Sequence, residues 1–401
     1  MYRILFALLL TLSSAAARTF TIEGAVERAR SANPDLAAAR LGIEQARARV
    51  MQSGRKANPN LEVEWKPNVA QPKEFTFSAG FVQRFPLTKK LWFERAVSEA
   101  ELRAAEAEVL NAARLLTSEV RAAAVKLLAL KDQQTLLEKK RAHSRELAAD
   151  AEKTAKAGEG SSLDAARLEL EAEQVALELL PIETARAALT GEFRTLVSIP
   201  AKEPLVIAGK LEEPVAADGA ANPAQRPDYQ AAQAKEEAAR AGIDLARAGK
   251  WDDASYGIAY EREHNYDAGD GSQRDNFIGF KFSIPWPLRN KNEGEIAEAG
   301  ASTARAQQER EALAARIRAE SATAAAEMAA AEQIITQSRG GLLEKAVALE
   351  DRLLAAHKLG KVPMSDVLRT REQRFALETA RIAALRDWHL ARVRLLAAQG
   401  R

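Results

Sequence analysis

Residues 89–157 run without a single proline or glycine. At ~1.5 Å per residue such a run makes a helix of about 100 Å, far longer than a globular domain accommodates, so its stability must come from neighbours packed along its length. Leu102, Val109, Leu116, Ala123, Leu130 and Leu137 recur every seventh residue and mark the expected coiled-coil seam. Gly158-Glu159-Gly160-Ser161-Ser162 breaks the run, and Ser161 or Ser162 can cap a returning helix that begins near Leu163-Asp164. That returning arm is expected to be interrupted at Pro181 and to end near Ile199-Pro200. Upstream, residues 22–56 read as helix with a break at Asn33-Pro34-Asp35, where Pro34 suits a first-turn position.

The same order then returns. Residues 201–223, with Pro204, Gly209, Pro214 and Gly219, read as a linker, after which Arg226-Pro227-Asp228-Tyr229 echoes Asn33-Pro34-Asp35-Leu36. A helix to Lys250 follows, then a second long helix from about Glu293 to Leu359 with a soft spot at Gly340-Gly341, a second turn at Gly360-Lys361-Val362-Pro363, and a final arm from Ser365. The period is roughly 195–202 residues, which implies an internal pseudo-twofold. The expected organisation is a leader at 1–17, a first repeat at 18–200 with its helical turn at 158–164, a linker at 201–224, and a second repeat at 225–401 with its turn at 360–366. Both turns are expected at one far end of the helical hairpins.

Between the helices lie two aromatic segments of a different period. Phe75, Phe77, Ala79, Phe81 and Phe85 fall on one face of an extended strand, broken only by Gln83, while Thr76, Ser78, Gly80 and Arg84 fall on the other. Ile278, Phe280, Phe282 and Ile284 alternate in the same way with Phe277, Gly279, Lys281 and Ser283. Each has an alternating partner upstream: Leu61, Val63 and Trp65 against Glu62, Glu64 and Lys66, and Tyr256, Ile258 and Tyr260 against Ser255, Gly257, Ala259 and Glu261. The connecting segments, 67–74 and 262–276, are polar and carry turn formers, so both pairs read as hairpins. One reading packs each apolar face under helices of the same domain. The other turns Phe75, Phe77, Phe81, Ile278, Phe280 and Phe282 toward lipid and Glu62, Glu64, Arg84 and Lys281 toward a lumen or solvent, since strands of roughly 9–11 residues with alternating polarity are what a transmembrane β-barrel needs. Four strands close no pore alone, so this second reading requires an oligomer.

Composition narrows the classes. Lys+Arg 58 against Asp+Glu 56, interspersed along helices, gives no charge asymmetry pointing to nucleic acid. Cys 0 excludes disulfides, thiolate metal sites and a lipid-modified cysteine. The four histidines, 143, 264, 357 and 389, stand at no ligand spacing from one another, and no Ser/His/Asp set, phosphate loop or paired buried carboxylates emerges. No enzyme, cofactor or metal site is therefore expected. Arg3, the apolar run Ile4 to Leu12 and Ala15-Ala16-Ala17 read as a secretory signal cleaved near Ala17, too short an apolar run for a membrane helix.

Taken in this order, the segments resemble the TolC-like outer-membrane efflux channels over essentially all of the chain after residue 17. Ala32-Asn33-Pro34-Asp35-Leu36 through Ala57-Asn58-Pro59-Asn60-Leu61-Glu62 looks like the heavy-metal cation branch, the CzcC-like proteins, and residues 283–294, from Ser283-Ile284-Pro285-Trp286 to Asn292-Glu293-Gly294, are similar to that branch's second strand-to-helix junction. The two Gly-to-Asp turns resemble the family's periplasmic tips. The resemblance implies a mainly α protein with a small β part, trimerising into a 12-stranded barrel in the outer membrane continued by a periplasmic α-barrel. It implies docking of a periplasmic adaptor, and through it an inner-membrane resistance-nodulation-division pump, at tips carrying Gly158, Ser161, Asp164, Gly360, Val362 and Asp366. Val362 stands where some relatives place a basic gate residue. The plainer reading of Asp164 and Asp366 is a first-turn carboxylate offsetting the helix dipole, ~0.3–1 kcal/mol each. Implied function is a passive exit duct for heavy-metal cations. The alternatives are a duct for drugs or other small molecules, or a soluble periplasmic coiled-coil scaffold.

Overall fold

The computed structural model describes residues 18–401 apart from 159, 216–220, 268 and 270; the expected leader at 1–17 and its cleavage site lie outside the described residues. Two helices, α1 (Ile22–Ala32) and α2 (Pro34–Gln52), meet at Asn33, whose Oδ1 accepts from the N–H groups of Asp35 and Leu36 at 2.9 and 3.1 Å. Pro34 occupies the first position of α2, where its missing N–H leaves no helical bond unmade.

The proline- and glycine-free run is one unbroken helix, α3 (Lys90–Lys156), of 67 residues. Its return, α4 (Ser162–Val197), corrects one expectation: it passes through Pro181 without a break. Pro181 and Leu177 are both exposed, so water can bond the Leu177 carbonyl that the proline cannot satisfy. The second half repeats the order with α5 (Pro227–Ala248), α6 (Glu293–Gln337), α7 (Leu343–Lys358) and α8 (Met364–Ala398). Between α6 and α7, Ser338–Leu342 form a π turn in which Gly341 sits at φ 87°, a conformation that favours glycine at that position.

The strands also differ from expectation in two places. The 201–224 linker is not structureless, because β4 (Leu205–Ile207) pairs in parallel with β1 (Arg18–Phe20). Most of the expected connection is strand: β5 (Ala254–Asp267) and β6 (Gly271–Ser283) stay in register as far as Asp267 and Gly271, so 262–267 and 271–276 belong to the ladder. Polar residues on both faces there hide the strand from a search for alternation, while the backbone ladder continues regardless. With β2 (Asn60–Pro67) and β3 (Phe75–Phe85), these make a single antiparallel sheet in the order β2-β3-β5-β6, so the two hairpins are joined edge to edge.

By internal contacts the chain divides into two units, each drawing segments from both halves of the sequence. One comprises 39–110 and 227–315 and holds the four-stranded sheet. Its helices close on alanines, with Ala100, Ala104 and Ala107 of α3 and Ala231, Ala234 and Ala238 of α5 buried, while the seam residues Leu102 and Val109 are half-buried. Buried Glu236 is held there by Arg310, whose guanidinium donates at 2.6 Å to Glu236 and at 2.7 Å to the Tyr229 hydroxyl.

The other unit runs up to Ala38 and includes 111–226 and 316–401. Here Ala324, Met328, Ala331 and Ile335 of α6 form one buried cluster with Ala384, Trp388, Ala391 and Leu395 of α8, both series at 4-3-4 spacing. The seam residues Leu116 and Ala123 are buried in this unit, as the heptad reading expects.

Candidate functional site

The sheet has two faces of opposite character, fixed residue by residue by its register. Leu61, Phe81, Ile258 and Phe280 lie in one row across the four strands, and Val63, Ala79, Tyr260 and Ile278 in the next. Phe75, Phe77 and Phe282 belong to the same face. It is not covered by the chain: Leu61 is 76 % exposed, Phe280 71 % and Phe282 75 %. An apolar face of this extent is far larger than the scattered exposed hydrophobics of a soluble surface. Two of the polar residues on this face are bonded internally, Gln83 Nε2 donating to the Ala57 and Arg84 carbonyls at 2.8 Å each and the Tyr260 hydroxyl to Asn276 Oδ1 at 2.6 Å.

Glu62, Glu64, Arg84 and Lys281 all project from the opposite face, in line with Ser78, Gly80, Gly257 and Ser283. This face is made of small residues where strands cross most tightly; a Cβ at Gly80 would stand 3.2 Å from the Ala259 Cβ, and one at Gly257 3.0 Å from the Phe81 carbonyl oxygen. Small residues on one side and aromatics on the other suit a sheet that curls toward the small side. Lys66 and Glu64, two positions apart on this face, pair at 2.7 Å.

At the other predicted site, each helical turn is built as its sequence requires. Gly158 at φ 79° and Gly360 at φ 70° take the left-handed conformation that ends α3 and the α7 segment, with open space around both. Ser161 caps α4, its hydroxyl accepting from the Leu163 N–H at 3.2 Å, and Asp164 follows in the first turn, 4.0 Å from Arg167. In the second turn Pro363 precedes α8, Asp366 lies in the first turn, and the Val362 carbonyl is 3.0 Å from His357 Nδ1. The two turns are brought together by a cluster of Leu168, Met364 and Val367 with Leu147, Ala148, Leu353 and Leu354, to which all four helices contribute. Just behind it, Arg371, fully buried, bonds Glu171 of α4, and Arg374 bonds buried Glu350 of α7 at 2.6 Å. This charged layer escaped the sequence reading, since its partners lie in different helices and no local spacing links them.

No protein-family model and no curated sequence matches the chain. Solved structures do. It superposes on CusC, described with its conformational changes on transmembrane channel formation, at TM-score 0.81 over 94% of this chain and 92% of that one with 18% identity. The fold is that of outer-membrane channel proteins. The outer membrane protein VceC of Vibrio cholerae follows at TM-score 0.74 and 19% identity, covering 94% and 96% of the two chains, and the CmeC outer membrane channel of Campylobacter jejuni at 0.75 and 14%, covering 94% and 85%. These neighbours are channels, not enzymes. Among the described residues no helix is long and apolar enough to cross a membrane.

Proposed function

We propose that the chain is the subunit of an outer-membrane exit duct in a tripartite efflux system. The observation that carries this reading is the exposed apolar face of a four-stranded sheet whose edge strands, β2 and β6, end in unpaired backbone. Neither feature is tolerable alone in water or in lipid: the face needs hydrocarbon, and the edges need partners. Three copies joined β6 to β2 satisfy both at once as a twelve-stranded barrel, with Phe75, Phe77, Phe81, Ile278, Phe280 and Phe282 outward and Glu62, Glu64, Arg84 and Lys281 inward. A soluble scaffold would instead cover the aromatic face with its own helices.

In this reading the α3–α4 and α7–α8 turns form the periplasmic mouth, where a periplasmic adaptor and a resistance-nodulation-division pump dock. The duct performs no chemistry and moves its cargo down the path the pump supplies. Heavy-metal cations are the proposed cargo, supported by the resemblance of residues 32–62 and 283–294 to the CzcC-like branch and by paired carboxylates on the lumen face. The test is to purify the full chain from membranes, assess oligomer size, and record planar-bilayer conductance. Stable trimers with discrete conductance steps are expected; a monomer soluble without detergent overturns the duct. For cargo, deleting the gene should lower tolerance to divalent heavy metals and leave drug tolerance unchanged, and the reverse pattern overturns the metal assignment.

A further inference from the structure

Where the sheet joins the helices, the chain forms a cleft of about 780 Å³ lined by both signs of charge. Lys90, Lys250 and Arg289 line it, and none has a carboxylate within 4.0 Å. Glu94 and Asp252 line it too and are equally without a cation, while Glu295 accepts from Asn292 at 2.7 Å. Unlike the many paired charges on the helices, these stand around one cavity without closing on each other. A cleft lined by unused cations and carboxylates is complementary to a ligand that carries both charges.

The surroundings say what else that ligand has. Phe282, Ile284, Trp286 and Leu288 are all at least 63 % exposed and lead from the end of the apolar sheet face to the cleft. Trp286 and Leu288 are themselves part of its wall, and Trp286 meets Trp251 edge to face at 5.8 Å. Indole pairs of this kind sit at the level of lipid headgroups, because the ring is apolar and its N–H needs a polar neighbour.

We infer that the cleft holds one phospholipid with a zwitterionic phosphoethanolamine headgroup, its phosphate on Lys90, Lys250 and Arg289, its ammonium on Glu94 and Asp252, and an acyl chain along Phe282, Ile284 and Trp286. This inference rests on the reading of the sheet as membrane-embedded, which places this end of it at the bilayer surface. The bound lipid fixes the depth at which the sheet rides in the bilayer. An ordinary annular lipid would be held by the aromatics alone and would show no headgroup preference.

The experiment is native mass spectrometry of the full-length protein extracted in mild detergent and titrated with phosphatidylethanolamine or phosphatidylglycerol of matched chains, with membrane fractionation run on every variant. Wild type should retain phosphatidylethanolamine at least about fivefold over phosphatidylglycerol. The K250A/R289A pair should lose retention of both lipids, E94Q/D252N should lose only the preference for phosphatidylethanolamine, and K250R/R289K should keep retention. Equal retention of the two lipids by wild type, or retention unchanged in K250A/R289A, overturns the site. Competition by free phosphoethanolamine as strong as by the lipid would overturn the acyl track. If wild type never fractionates with membranes, the membrane reading fails; if it does and the preference is absent, the headgroup site fails alone.

Discussion

Arg371 and Glu171 show how much can hang on a single pair. Arg371 is fully buried and bonds Glu171 across two helices, so removing one partner leaves the other charged and without compensation in a dry layer. Glu171→Ala is expected to destabilise the protein by about 3–5 kcal/mol, while replacing both with Leu and Met of similar volume costs far less. Urea melts of the extracted protein decide it, and equal losses for the single and the double variant would refute the account. On the sheet, Phe280 and Lys281 are adjacent in sequence and opposite in direction. On the duct reading, Phe280→Arg puts a charge on the lipid face at a cost of about 2–4 kcal/mol, so its yield of assembled outer-membrane protein should fall well below that of Lys281→Ala. Equal, normal yields would remove the assignment of faces. The division of the strands into an apolar and a polar face was readable from alternation alone, because a period of two leaves no freedom once one face is apolar. The Arg371–Glu171 pair was not, because nothing in sequence marks which of many charged positions on a helix will meet another helix.

Among the elements, those set by local chemistry were legible and those set by long-range pairing were not. Long runs without Pro or Gly, the helix break with Pro34 in the first turn, the glycine turns and the soft spot at Gly340-Gly341 all specify themselves within a few residues. β4 did not, since three residues in a proline-rich linker become a strand only through β1. Nor did the continuity of α4 through Pro181, which depends on exposure of that turn. Gly360 offers a test at this scale: with φ 70°, Gly360→Ala should cost about 1–2 kcal/mol by thermal melting, though nothing crowds the site, whereas Gly360→Asn should cost less. A second test concerns the linker strap. His389 of α8 donates from Nε2 to the Glu212 carbonyl at 2.8 Å, and Arg381 pairs with Glu213 at 2.5 Å. Burial, assisted by Arg392, pulls the His389 pKa below its ordinary value although the Glu212 carbonyl opposes the shift. Above about pH 6.5 the ring is neutral in folded and unfolded chains alike; as pH falls below that, the unfolded chain takes up the proton first and stability drops until the folded pKa is passed. Melting temperature between pH 7 and 5 should therefore fall less in His389→Gln than in wild type, and parallel curves would count against this cause.

At the scale of the molecule, the duct reading makes the polar face of the sheet a ring of repeated charge. Glu62 and Glu64 would each occur in threefold copies, so Glu62→Gln with Glu64→Gln should shift cation-over-anion preference toward anions in planar bilayers, and an unchanged reversal potential would reduce these residues to solvated strand positions. The central ladder of the sheet has a further consequence. β3 pairs with β5 through partners such as Gly80 and Ala259, which lie in different halves of the chain. In a polypeptide threaded through a membrane from its N-terminus, the first hairpin arrives with the β3 edge bare, and its partner is still untranslated or in transit. During that interval the edge is open to any stranger strand, and closing it must await the slow meeting of distant segments. On the duct reading, the distance between these segments along the chain sets how long one aromatic hairpin stays exposed before the other arrives to close its edge.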